Sequence, residues 1–219
     1  MAQVSVREVL PQMSMPTAPV IMGWVVIFQI GLLISYLLST DARITDPLFL
    51  LYPFIWINAS LLALLRTDRP VGSTRRRIGA GVVAISYFGM LGYFGGLFGA
   101  GVEQMPLHLN WGPPPGYGPA LIWDTGTVNL ILEPFKVIGY LTLAYFVYAT
   151  ILDAAAGAIP GILGLFSCIS CSWPIIGTIA TSLFGSSSAV AAFAIGNSYG
   201  VGTLVFVSAL ALLYYRPLV

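Results

Sequence analysis

PVIMGWVVIFQIGLLISYLLS, residues Pro19 to Ser39, contains no charged side chain. About 20 mainly apolar residues at 1.5 Å per residue cross the hydrocarbon core of a bilayer as a helix. Inside lipid every backbone polar group must find its partner within the chain, so a run of this kind reads as a transmembrane helix. The same test, applied outward, finds further runs at Pro47 to Leu65, Ile78 to Val102, Leu130 to Ile151, Ala158 to Phe184 and Tyr199 to Tyr215. The expected fold class is therefore all-α: a polytopic transmembrane helix bundle of about six spans, with residues 1–219 forming one integral membrane domain.

Composition agrees with this reading. Hydrophobic residues make up 58% of the chain and charged residues 8%, with a mean hydropathy of +0.90. A soluble domain carries about 25% charged residues, so most of this surface is expected to face lipid. The lipid bilayer is the first partner implied. The net charge of +1 offers no electrostatic footprint for nucleic acid. The first residues, MAQVSVREVLPQMSMPTAP, lack a basic n-region and a small-residue cleavage site, so the first span is expected to be retained.

Orientation follows the arginines. Arg66, Arg69, Arg75, Arg76 and Arg77, five of nine basic residues, fall between the second and third runs. The positive-inside bias places that connection in the cytoplasm. Alternation then puts the N-terminus with Arg7, and the C-terminus with Arg216, on the same side. Thr40 to Asp46 and the long segment 103–129 (EQMPLHLNWGPPPGYGPALIWDTGTVN) are expected outside. Pro113, Pro114 and Pro115 between Gly112 and Gly116 forbid a regular helix there, and the segment reads as a loop. Its Trp111, Tyr117 and Trp123 suit the headgroup layer.

The third run holds Gly92 with Gly96 and Gly95 with Gly99, two overlapping Gly-xxx-Gly pairs. Missing side chains let a second backbone approach closely in lipid. Those glycines are candidates for contact with the chain's own helices or with a membrane-protein partner.

Chemistry concentrates in the fifth run. Cys168 and Cys171 in LFSCISCSWPI lie three apart, which on a helix sets their Cβ atoms about 5–6 Å apart on one face. That is near the roughly 3.5–4.5 Å a disulfide requires, and it also suits two thiolates on a soft metal such as Cu(I). Pro174, after Trp173, crowds the carbonyl of Ser170 and should kink or end the helix beside the pair. Counted from Ala158 at about 1.5 Å per residue, Cys168 lies roughly 15 Å in, near the midplane. An uncompensated thiolate there is costly, whereas a neutral thiol, a disulfide or a metal-bound pair is tolerated. Packing as two small apolar side chains is the plain alternative. Met13, Met15, Met22, Met90 and Met105 could add thioether ligands; His108 lies far from that depth.

Glu133 and Lys136 open the fourth run at a spacing that allows an ion pair, with Pro134 at the first helical turn. They read as an interfacial anchor or as an intramembrane polar site. Residues 185–198, too short to span, read as a re-entrant or interfacial helix.

The segments KVIGYLTLAYFVYATILDAA and GLFSCISCSWP resemble a set of six-span membrane proteins of halophilic archaea without an assigned activity, over Glu133 to Pro217. That resemblance implies a prokaryotic plasma membrane. A local likeness to the transmembrane thiol–disulfide carriers of cytochrome c maturation also exists, but those place single cysteines near prolines in two different spans. Here both cysteines share one span, so no function carries across.

There is no Walker loop, dinucleotide fingerprint, HExxH or Gly-x-Ser-x-Gly elbow, and the single His excludes bis-histidine haem ligation within the chain. An independent enzyme is not expected. The leading expectation is an integral membrane protein that handles a thiol or copper through Cys168 and Cys171, accessory to the assembly of respiratory proteins. A structural subunit of a membrane complex and a small-solute transporter are the alternatives; the lack of an internal repeat weighs against the transporter.

Overall fold

The computed structural model describes residues 17–40, 47–68, 70–154 and 198–215. The expectations that fall on Arg7, Met13, Met15, Thr40 to Asp46 beyond residue 40, the fifth run with Cys168, Cys171, Trp173 and Pro174, residues 185–197 and Arg216 lie outside the described residues. Five helices are described: α1 (Thr17–Ser39), α2 (Pro47–Leu65), α3 (Thr74–Phe94), α4 (Pro134–Ala154) and α5 (Ser198–Tyr215). The first four are long and apolar enough to cross a membrane.

Between α3 and α4 the chain is not a loop. It forms a four-stranded antiparallel sheet, β1 (Phe98–Ala100), β2 (Gln104–Asn110), β3 (Ala120–Thr125) and β4 (Val128–Leu132), in the order β1-β4-β3-β2. The expectation of an all-α six-span bundle is corrected accordingly. The physical reason begins at Gly96. α3 stops at Phe94 rather than running to Val102 because Gly96 takes the left-handed conformation, φ 76°, which a residue without a Cβ adopts without steric cost. The Leu97 amide donates to the Gly92 carbonyl at 2.7 Å and the Gly96 amide to that of Tyr93 at 3.3 Å. Together these bonds form a Schellman cap. Leu97, just past the stop, is fully buried.

The other sheet boundary is set by Pro134. It lacks an N–H, fits the first turn of α4, and delays the start of that helix beyond Leu130 to Leu132, which pair with Phe98 and Leu121 in the sheet. β3 and β4 are joined by a tight turn at Gly126, φ 81°. β2 pairs with β3 through a bulge between Met105 and His108, where Pro106 removes a ladder donor.

The helices share two poles. At the sheet pole lie the end of α1, where Tyr36 donates to the Gly112 carbonyl at 3.3 Å, and the starts of α2, α4 and α5. Phe49, Phe135 and Tyr199, one from each start, all meet Tyr117. At the opposite pole Gly72, ahead of α3, faces the Leu152 side chain near the end of α4. Hence α2, α4 and α5 run one way, and α1 and α3 the other.

The buried core lies among α2, α3, α4 and α5: Trp56, Tyr87, Leu91, Leu143, Phe146, Phe206 and Leu210 belong to it, with Tyr117 entering from the loop before β3. No α1 residue does.

Candidate functional site

The polar groups that a function could draw on lie in four separate places among the described residues, one of them the Gln29 and Asn58 amide pair between α1 and α2. The first is an aromatic nest at the sheet pole. The proline-rich segment 113–119 folds back onto the helix starts: the Tyr117 and Gly118 amides both donate to the Pro114 carbonyl, and the Phe135 amide donates to that of Gly116 at 3.1 Å. Gly116, at φ 96°, presses on Pro53 so closely that a side chain would collide with its ring. This turn drives Tyr117 inward until only 3% is exposed. Its ring stacks on Phe49 at 4.3 Å and meets Phe135 and Tyr199 edge-on at 4.8 and 5.8 Å.

One turn deeper, Trp56 stacks on Phe206 at 4.0 Å. Its Nε1–H donates to Thr203 Oγ1 at 3.0 Å. Indole N–H groups carry a hydrogen bond when buried because the isolated donor is costly in an apolar surround. Gly139 of α4 admits this indole: a Cβ there would stand 2.9 Å from Cζ3 of Trp56.

The second place is Asp124, buried on β3 with 8% exposure. Oδ1 accepts from the Gly126 amide at 2.7 Å, and Oδ2 from the Val102 amide at 3.2 Å, the Glu103 amide at 3.4 Å and Asn129 Nδ2 at 3.3 Å. The Gly126 N–H does most to hold the carboxyl below its ordinary range; burial opposes it, and the Val102, Glu103 and Asn129 donors add to the lowering. Gly101 leaves the room for this approach, since a Cβ there would collide with Oδ1. With its lone pairs engaged by the two turns, this carboxylate is a tie between the ends of the sheet.

The third is the pair expected from sequence. Glu133 Oε2 and Lys136 Nζ are 2.6 Å apart, each side chain about one-fifth exposed (19% and 20%), and Lys136 Nζ lies 5.9 Å from the Phe135 ring centroid. The Glu133 carbonyl accepts from the Val137 amide, so the acid stands at the helix start, where its charge suits the dipole, and offsets a lysine that does not.

Other expected residues separate. Gly92 faces the Phe98 ring and Gly95 the Tyr140 side chain, both within this chain. Gly96 and Gly99 stand beyond the helix, so the four glycines do not make one helix face. His108 is exposed on β2, its Nδ1 3.0 Å from the Pro106 carbonyl oxygen, and Met105 is on the same strand. Among the described residues no group of three or more His, Cys, Asp or Glu side chains is placed to hold a metal ion.

Asp124 escaped the sequence reading although its signal is present. An Asp two residues before a Gly, between the apolar runs ALIW and VNLIL, is the pattern of an Asx turn in a hairpin. The Gln29 and Asn58 pair, joined by an Asn58 Nδ2 to Gln29 Oε1 bond of 2.8 Å, was also missed; lone amides in apolar runs are its signal.

Over residues 2–219 the sequence matches the model of a family of unknown function, DUF7546. The chain belongs to that family. No curated protein and no solved structure matches it. The match spans the helices and the sheet alike, so the capped five-helix arrangement described above lies within the family's matched region.

Proposed function

We propose that the chain is a multi-pass integral membrane protein of a prokaryotic plasma membrane that works without catalysis, as a structural or assembly subunit. Its helices anchor the β-sheet on the outer side. The observation that carries this reading is the separation of charge between the two poles. Arg66, Arg75, Arg76 and Arg77 are exposed at one end, and no Lys or Arg occurs from Ile78 to Phe135, the stretch that holds α3 beyond its first turn and the whole sheet. Between the poles stand helices such as α1, whose apolar window is only 6% buried; so much exposed apolar surface is stable in lipid and a liability in water. The positive-inside bias then favours the arginine pole in the cytoplasm.

Ala154 closes α4 at the arginine pole and Ser198 opens α5 at the sheet pole. This favours one more crossing between them, where the sequence places the run Ala158 to Phe184, and with it a cytoplasmic C-terminus.

The test is alkaline carbonate extraction of membranes, followed by labelling of single cysteines at Thr74 and Thr127 with an impermeant maleimide in a Cys168→Ser/Cys171→Ser background. Retention in the pellet with labelling at Thr127 only, in intact cells, is the expected result. Release by carbonate removes the membrane reading, and labelling at Thr74 alone reverses the orientation.

The Cys168 and Cys171 pair beside Trp173 and Pro174 favours a second reading, handling of a thiol or of copper in that accessory role. Its test is thiol labelling with metal analysis of fresh membranes; reduced, metal-free cysteines and an unchanged double Cys→Ser strain under copper limitation would remove it.

A further inference from the structure

We propose that one face of the sheet lies on the lipid headgroup layer, so that the sheet is an interfacial element rather than a domain standing in water. The inference rests on the membrane-spanning reading above and adds a partner surface to it.

The register decides which residues share the face. Leu109 pairs with Leu121, Leu121 with Leu132, Trp123 with Leu130, and Leu130 with Phe98. Directly opposed residues point to the same side of a sheet, and side chains alternate along each strand. Leu109, Leu121, Trp123, Leu130, Leu132 and Phe98 therefore stand together, and none of them is charged. His108, Ile122 and Asp124 belong to the other face.

Phe98 fixes where the apolar face looks. Its ring lies against Gly92, inside α3, so this face turns back toward the helices. The β1 edge of the sheet rests there. Farther out the cover ends: Trp123 is 43% exposed, Leu109 52%, and Trp111, just past the end of β2, 72%. Thus the β3 and β2 half of an uncharged face is left open at Trp123 and Leu109. Tyr93, in the last turn of α3, is exposed as well.

With the helices in a bilayer, a face that begins against the last turn of α3 and continues uncovered stands at the headgroup and upper acyl region. Trp and Tyr favour that layer, with an apolar ring on one side and a polar N–H or O–H on the other. The outer edge is suited to it as well. β2 carries Pro106 and a bulge, which discourage strand pairing with another chain, and leave lipid contact through side chains as the surface's use.

The test uses the full chain in liposomes of phosphatidylcholine and phosphatidylglycerol, with an environment-sensitive fluorophore at one of three positions in the Cys168→Ser/Cys171→Ser background. Leu109→Cys probes the apolar face, His108→Cys the opposite face, and Ile30→Cys the exposed side of α1. The expected result is a blue-shifted emission at position 109, quenched several-fold more than at position 108 by headgroup-labelled lipid. Aqueous emission at position 109 with lipid quenching at position 30 would overturn this inference and leave the membrane reading intact. Loss of lipid quenching at position 30 would remove both. Shielding at position 109 from an aqueous quencher, without lipid quenching, would mean that protein covers the face, and would also overturn it. Should the cysteine-free background not fold, tryptophan quenching by brominated lipid in the native-cysteine chain serves instead. A clear drop on Trp111→Phe/Trp123→Phe supports the proposal, and no change overturns it.

Discussion

Trp56 Nε1 reaches Thr203 Oγ1 across 3.0 Å, and the two residues stand 147 positions apart in the chain. It is a side-chain hydrogen bond in the buried seam between α2 and α5, and it orients the indole that stacks on Phe206. Trp56→Phe removes the donor and keeps most of the ring. The expected loss is about 1 kcal/mol, the net worth of a typical buried hydrogen bond. Thr203→Val is expected to cost more than Trp56→Phe, because it leaves an indole N–H buried without an acceptor. Thermal unfolding in detergent, with the double variant closing the cycle, measures both.

Gly139 lies against that same indole. Gly139→Ala would place a methyl 2.9 Å from Trp56 Cζ3 and 3.2 Å from Phe206 Cε2, and overpacking of this kind costs about 1–3 kcal/mol. Gly79→Ala, in α3 with open space around it, is the control. It is expected to be neutral or stabilising, since Ala gains up to roughly 1 kcal/mol over Gly in a helix.

Gln29 and Asn58 give an asymmetric prediction. The Asn58 Oδ1 atom is buried without a hydrogen-bond partner among the described residues, while its Nδ2 serves Gln29. Gln29→Leu strands the whole Asn58 amide; Asn58→Leu removes an atom that was already unsatisfied. Interhelical hydrogen bonds in a membrane are worth about 0.6 kcal/mol on average. Gln29→Leu is expected to destabilise by at least that much and Asn58→Leu by less, as read by unfolding midpoints in the same detergent.

Asp124 supplies the pH dependence. Its folded pKa is lowered from 3.8, first by the Gly126 amide. The unfolded chain therefore binds the proton more readily, and the carboxylate's contribution is present above the unfolded value and lost as pH falls through the folded one. Hydrogen exchange at the Val102, Glu103 and Gly126 amides should accelerate below about pH 3.8 relative to amides of α4. In Asp124→Ala the same amides should already exchange quickly at pH 7, and that acid step should vanish.

The helices were legible because apolar length is a strong signal, and α1 and α2 begin and end within a few residues of the runs that announced them. The sheet was not. Leu130 to Leu132 continue into the apolar run of α4, and hydropathy alone does not distinguish a buried strand from the first turn of a helix. Gly95 and Gly96 invite two readings, close packing or helix stop, and only the left-handed φ of Gly96 decides between them. The triple proline drew the whole 103–129 segment into one loop, although Ala120 to Leu132 on its own reads as a hairpin with Asp124-Thr125-Gly126 at the turn. Of the expected site residues, Glu133 and Lys136 do meet, because a spacing of three within a first helical turn is a local property. Asp124 accepts from the Gly126 amide two residues on, which the local pattern encodes, and from the Val102 and Glu103 amides more than twenty residues earlier, which it does not.

Tyr117 touches the starts of three helices, and those starts are made at different times. Phe49 has left the ribosome before Tyr117 is synthesised, Phe135 follows soon after, and Tyr199 comes 82 positions after Tyr117. The aromatic nest therefore closes only when α5 arrives. A nascent chain halted after α4 would hold Tyr117 against two rings instead of three and would leave the Trp56 indole without Thr203. Among the described helices α5 is synthesised last, and its Tyr199 and Thr203 complete an aromatic nest and a hydrogen bond that the earlier segments leave open.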